Sequence, residues 1–156
     1  MEIRRPLRFV ADQSLGKLVK WLRILGFDTC IRYFDKSSMS PITDLEKGIL
    51  LTRIRRMRNH SPSVFIESNE PMTQLRQVIR ATGITSADIR LLSRCLRCNR
   101  TVAPIDKASV FAKVPDYVWE NHHAFHSCPE CGRIYWLGSH ARRSRARIHD
   151  LLLSDG

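Results

Sequence analysis

Two cysteine pairs, Cys95-Leu96-Arg97-Cys98 and Cys128-Pro129-Glu130-Cys131, carry the most definite chemistry in this chain. A two-residue gap bends the backbone so that both thiolates of a pair reach one ion. Two such pairs therefore offer four sulfurs to a tetrahedral Zn²⁺ at about 2.3 Å. Cys95, Cys98, Cys128 and Cys131 are the expected ligands. With four thiolates bound, no position remains for water, so the metal is expected to be structural rather than catalytic. Disulfides or a redox pair are the alternatives, and the matched spacing without a secretion signal favours zinc. His122, His123 and His126 precede the second pair, but the cysteine set is complete without them. Gly132 suits a left-handed turn after its cysteine, and Cys30, in an apolar stretch, is expected in the core.

Asp12 is the second candidate. The apolar, β-prone run Leu7 to Ala11 stops at it, and Leu15, Leu18, Val19, Leu22 and Leu25 then recur at helical spacing. A strand feeding directly into a helix places its last residue at the carboxyl edge of a parallel sheet, where α/β proteins build their sites. A carboxylate there is well placed for a metal. The residue types alone equally allow a helix-capping or buried, hydrogen-bonded acid.

The elements that would position these groups follow from the same patterning. Ser14 is a plausible N-cap for the first helix, Gly26 a C-terminal glycine, and Lys17, Lys20 and Arg23 fall on its flank. Strands are expected at Asp28 to Tyr33, Gly48 to Thr52 and Ser63 to Ile66, with a short helical turn over Thr43 to Lys47. Pro71 opens a further helix whose apolar face is Met72, Leu75, Val78 and Ile79, up to Gly83. Alternation at these lengths predicts an α/β domain, a small parallel sheet with helices on both faces. The expected division is 1–90 for this domain, 91–140 for a zinc ribbon and 141–156 for a basic tail, helical over Ser139 to Leu153.

Among 156 residues, 26 Lys and Arg face 15 Asp and Glu, for a formal charge of +11. A zinc tetrathiolate would lower the excess only to about +9. Clustered positive charge of this size points to a polyanion, most simply RNA, because neutralising phosphates releases counterions. An acidic protein partner is the other candidate. No stretch is apolar enough to span a membrane and no signal-type segment opens the chain, so the expected setting is cytoplasmic, where thiolates stay reduced.

Arg8-Phe9-Val10-Ala11-Asp12, Leu15-Gly16-Lys17-Leu18, Trp21-Leu22-Arg23-Ile24-Leu25-Gly26, Leu50-Leu51-Thr52-Arg53 and Gln74-Leu75-Arg76 occur in that order. Ser93-Arg94-Cys95-Leu96-Arg97-Cys98-Asn99, Val114-Pro115 and the run Cys128 to His140 follow. In these motifs the chain resembles the Mut-seven C-terminal RNase domain family from about residue 7 to 140. The resemblance implies a PIN-like α/β domain carrying a zinc ribbon, and a metal-dependent ribonuclease. Acidic side chains at the sheet's carboxyl edge would hold Mg²⁺ or Mn²⁺, hard cations that take oxygen ligands. Asp12 is then the first-strand acid.

Departures from the family fall where that chemistry would occur. After Leu-Leu-Thr-Arg the family has an aspartate, and here the residue is Ile54. Where the family has Ser-Asp-Asp before the later helix, the chain has Ser68-Asn69-Glu70. For the middle acid Asp35, Asp44 and Glu46 stay open, with Asp44 and Glu46 favoured by their position before the third strand. Asp12, Asp44, Glu46 and Glu70 are thus the expected acids. Arg53, Arg55, Arg56 and Arg58 follow the third strand, and with Lys17, Lys20 and Arg23 they form the expected nucleic-acid surface. A second cluster is Arg142, Arg143, Arg145 and Arg147. Tyr135 and Trp136 could stack unpaired bases, but in so small a ribbon packing is favoured, and Trp21 and Trp119 also read as packing residues. Three functions are consistent with these residues: a metal-dependent endoribonuclease, an RNA-binding module descended from one, and a zinc-ribbon interaction module.

Overall fold

The structure, a computed structural model, describes residues 6–35, 48–60 and 62–154. The chain divides into two compact units, one of residues 1–23 and 27–84, the other of residues 24–26 and 85–156.

In the first unit β1 (Arg8–Asp12), β2 (Asp28–Arg32), β3 (Ile49–Thr52) and β4 (Ser63–Phe65) form a parallel sheet in the order β2-β1-β3-β4. Phe9, Val10, Ala11, Leu50 and Leu51 are wholly buried. Central parallel strands covered on both faces read as continuous apolar runs, which is why β1 and β3 stand out in the sequence. A tight 3-10 turn, Gln13–Leu15, leads from β1 into α1 (Gly16–Ile24). Leu15, Leu18, Val19 and Leu22 form the buried face of this segment, and the Phe27 ring meets Phe9 edge-on at 5.8 Å. After β4, α2 (Pro71–Thr82) starts with Pro71 in its first turn and ends at Gly83, whose φ of 70° is the left-handed C-terminal conformation. The expected α/β architecture is therefore present, with β1 flanked by β2 on one side and β3 on the other. Strand order reverses between β1 and β3, whose carboxyl ends are where parallel α/β sheets build their sites.

Local details differ from the expectations. The cap of the first helical segment is Asp12, not Ser14: the Asp12 carboxylate accepts the Ser14 N–H, so the segment starts two residues earlier than the apolar periodicity suggests. After β3, Arg55–Met57 form a 3-10 turn. Cys30 is half-buried because β2 is an outer strand with a less covered face. The turn expected over Thr43 to Lys47, with Asp44 and Glu46, lies outside the described residues.

The second unit contains an antiparallel sheet of β5 (Ala103–Ile105), β6 (Phe125–Ser127) and β7 (Ile134–Tyr135), with α3 (Asp116–Asn121) and α4 (Ser139–Leu153). It has two small cores: Cys95, Val102, Cys128 and Tyr135 in one, Val110, Val114, Val118 and Phe125 in the other. Trp136 packs against Phe125 at 6.5 Å and Trp119 against Phe111 at 5.1 Å. The basic C-terminal segment is helical, burying Ser144, Ile148 and Leu151 and exposing Arg142, Arg143, Arg145 and Arg147. Among the described residues no helix is long and apolar enough to cross a membrane.

Candidate functional site at the sheet edge and the four-cysteine centre

The two cysteine knuckles are built alike. Cys95 N–H donates to the Arg100 carbonyl at 2.7 Å and Asn99 N–H to the Cys95 carbonyl at 2.9 Å. In the second knuckle Cys128 N–H donates to Arg133 and Gly132 N–H to Cys128, both at 2.9 Å. Each loop turns through a left-handed residue at the same position, Asn99 with φ 60° and Gly132 with φ 74°. Asparagine tolerates this conformation better than other side chains, which is how the first knuckle manages without glycine. Arg100 Nε meets Glu130 Oε2 at 2.9 Å and ties one knuckle to the other.

The four sulfurs lie within 4.8 Å of one another, and Cys95 Sγ is 3.7 Å from Cys131 Sγ. A tetrahedron with metal–sulfur bonds of about 2.3 Å has edges of about 3.8 Å. The thiols are thus positioned to hold a metal ion. No histidine joins them among the described residues, so His122, His123 and His126 stand apart from the ligand set.

Hydrogen bonds adjust the donor sulfurs. Burial by itself raises the Cys95 thiol, but the Tyr135 hydroxyl at 3.1 Å and the backbone of Cys98 and Arg97 outweigh it and lower the thiol to about 6. Cys98 is pushed up to about 12 by loss of solvent and then by Cys131 and Cys128. The Tyr135 hydroxyl, held above its usual range by burial and by the Cys95 sulfur, stays a donor and also accepts the Leu96 N–H at 3.0 Å. Second-layer partners of this kind orient ligands and change metal affinity by one to two orders of magnitude. Tyr135→Phe keeps the packed ring but deletes both bonds. It is expected to lower zinc affinity about 10- to 100-fold, measured by competition with a chromophoric chelator.

At the carboxyl edge of the parallel sheet, Asp12 is wholly buried. Its Oδ1 accepts the Ser14 N–H at 2.7 Å and the Ser14 hydroxyl at 2.5 Å. Its Oδ2 accepts the Thr52 hydroxyl at 2.8 Å and the Arg53 N–H at 2.7 Å. A carboxylate offers about four acceptor sites, and all are taken by protein donors. The Thr52 hydroxyl in turn accepts the Ile54 N–H at 3.0 Å, closing a network that joins the ends of β1 and β3. Ile54 brings no ligand atom. Glu70 is the cap of α2: Oε1 accepts the Met72 N–H at 3.1 Å, and Oε2 accepts the Thr73 N–H at 2.7 Å and hydroxyl at 2.8 Å. Asp35 is exposed after β2, and its carbonyl receives the Arg56 guanidinium. Among the described residues the four cysteines are the one group of three or more His, Cys, Asp or Glu arranged to hold a metal. The Asp12 and Glu70 carboxylates are thus each engaged by protein donors.

Basic side chains surround the edge. Arg32 ends β2, Arg53 is half-buried just after β3, and Arg55 and Arg56 are exposed on the turn beyond it. The Arg58 guanidinium lies over the Phe65 ring at 5.1 Å. Lys17 and Lys20 are exposed on α1, whereas Arg23 is half-buried and its Nε donates to the Thr29 carbonyl at 3.0 Å, bracing β2. Tyr33, expected as the last residue of the second strand, projects beyond β2 into solvent. The apolar pattern of residues 28–33 gave no sign of this, because the strand ends one residue earlier than the pattern does.

A family model described as Mut7-C RNAse domain matches residues 7–148. No curated protein and no solved structure matches the chain.

Proposed function

The chain belongs to the Mut7-C RNase domain family, and from that membership we propose that it binds RNA on a ribonuclease scaffold whose sheet edge grips phosphate with arginine instead of assembling a divalent-cation centre. One observation carries this reading: both oxygens of buried Asp12 are saturated by Ser14, Thr52 and Arg53. For Asp12 to ligate a cation, at least one of these buried donors would lose its partner, at a cost of about 1–3 kcal/mol. Ile54, where the family resemblance calls for aspartate, supplies nothing in return. Arg53, Arg55 and Arg56 follow β3 and would contact the phosphate chain, and exposed Lys17 and Lys20 would extend the positive surface along α1. Contacts of this type grip the backbone without reading sequence.

The ion held by Cys95, Cys98, Cys128 and Cys131 is proposed to be zinc, which suits four sulfur donors in tetrahedral arrangement. Bound there, it would cross-link two knuckles and serve folding rather than hydrolysis.

The test is binding of labelled RNA between 50 and 200 mM salt in buffer free of Mg²⁺ and Mn²⁺. Affinity is expected to fall with a log–log slope of about −0.7 per phosphate contacted, and the double variant Arg55→Ala/Arg56→Ala to flatten that slope by about 1.4. A requirement for Mg²⁺, or no binding at the lowest salt, overturns the reading; in the second case an acidic protein surface becomes the partner to seek.

A further inference from the structure

We propose that Tyr33 is a stacking platform for an unpaired base, so that the carboxyl edge of the parallel sheet takes single-stranded RNA in preference to duplex. The proposal rests on the RNA-binding reading above and adds the form of RNA bound.

Three observations converge on this residue. Tyr33 is 82% exposed, whereas the next aromatic, Phe34, is 6% exposed and anchored inside. The turn that presents the ring is fixed rather than loose. The Gln13 side chain donates from Nε2 to the Phe34 carbonyl at 2.9 Å and accepts the Phe34 N–H on Oε1 at 3.1 Å, clamping the turn to the segment after β1. The third is the surrounding charge. Arg32 immediately precedes the ring, and the Arg56 guanidinium bonds the Asp35 carbonyl, which brings the arginine segment after β3 to the same turn.

A large ring held out in water on a clamped turn, which follows Arg32 in the chain and whose Asp35 carbonyl the Arg56 guanidinium bonds, fits one class of occupant best. That occupant is a polyanion with accessible flat apolar faces. Single-stranded RNA has both, because each phosphate is followed by a base free to stack, and aromatic rings interleaved with basic groups are a recurrent way to hold such strands. In A-form duplex the bases are paired and stacked, leaving a ring at the groove edge only sugar and phosphate to touch. The arginines would then serve both forms, while the ring would serve only the single strand.

The test compares native protein with Tyr33→Ala, Tyr33→Phe and Tyr117→Ala on a single-stranded RNA and on a duplex of matched length, in divalent-free buffer. Tyr117 is another exposed aromatic, of the second unit, 69% exposed, and controls for loss of any surface ring. Loss of a stacked ring is expected to weaken single-strand binding about five- to 150-fold in Tyr33→Ala. Tyr33→Phe and Tyr117→Ala should bind single strands as the native chain does, and duplex affinity should be the same in all four proteins. Native-like single-strand binding by Tyr33→Ala, an equal loss on duplex, or a loss confined to Tyr117→Ala would each overturn the inference while leaving RNA binding itself intact. Failure of the native chain to bind either RNA would overturn the RNA-binding reading together with it.

Discussion

Replacing Asp12 by alanine is expected to destabilise the first unit by about 3–5 kcal/mol, enough to leave a marginally stable fold largely open. The side chain is wholly buried, and its removal strands the Ser14 N–H, the Thr52 hydroxyl and the Arg53 N–H without acceptors. Each orphaned donor costs about 1–3 kcal/mol, reduced where water enters the space. Asp12→Asn should be nearly as damaging, since its amide nitrogen must face one pair of these donors and cannot accept from them. The pattern discriminates between roles. An acid kept for catalysis is commonly neutral or costly to stability, and its removal costs activity alone. Amide exchange of β1 and β3 measures the first unit separately from the second, which matters because a chain of two units need not unfold in one step. Unchanged protection in Asp12→Asn would contradict a structural role.

Removing the metal from the four-cysteine centre is the second large effect. Structural zinc contributes about 10–16 kcal/mol of apparent binding free energy in small zinc modules at neutral pH, comparable to or larger than the whole stability of a domain. Cys95 and Cys128 are two of the four residues that define one of the small cores here, and no disulfide takes the metal's place. Stripping the metal with a strong chelator, or Cys128→Ser, should therefore abolish amide protection across residues 95–102 and 128–135 while β1 to β4 keep theirs. Protons compete with the metal for thiolates, so affinity should fall as pH falls. Cys98, at about 12 without metal, still carries its proton at neutral pH and must release it on binding. Cys95, lowered to about 6, is already thiolate at pH 7 and adds one further competing proton only as pH drops through that value. The plot of log affinity against pH should accordingly steepen by about one unit below pH 6. A pH-independent affinity would contradict thiolate ligation.

What was legible in the chain depended on how local its cause was. The knuckles were readable because two cysteines and the residue after them specify a turn within a few positions, and both turns form the same hydrogen bonds. The central strands were readable because burial on both faces writes an unbroken apolar run. The helix from Pro71 to Gly83 was readable from its two ends. Asp12 was legible only as two alternatives, a metal ligand or a buried, hydrogen-bonded cap, because Thr52 and Arg53 lie some forty residues away and reach it only once β1 and β3 pair in register. The same pairing decided the cap: local sequence allows Ser14 to cap the helix, but Asp12, fixed by β3, takes the Ser14 N–H first. Tyr33 escaped notice for a related reason. Whether it continues the strand or projects from it is set by the Gln13 clamp on Phe34, a contact between residues 21 apart.

Incubation of the native chain with a labelled panel of single-stranded and structured RNA, with and without Mg²⁺ or Mn²⁺, is the most direct test of the central claim that this edge binds RNA without a divalent-cation centre. Retained, salt-sensitive binding with no cation-dependent cleavage is the predicted result. Cleavage that appears with Mg²⁺ or Mn²⁺ and disappears in the double variant Asp44→Asn/Glu46→Gln would contradict it.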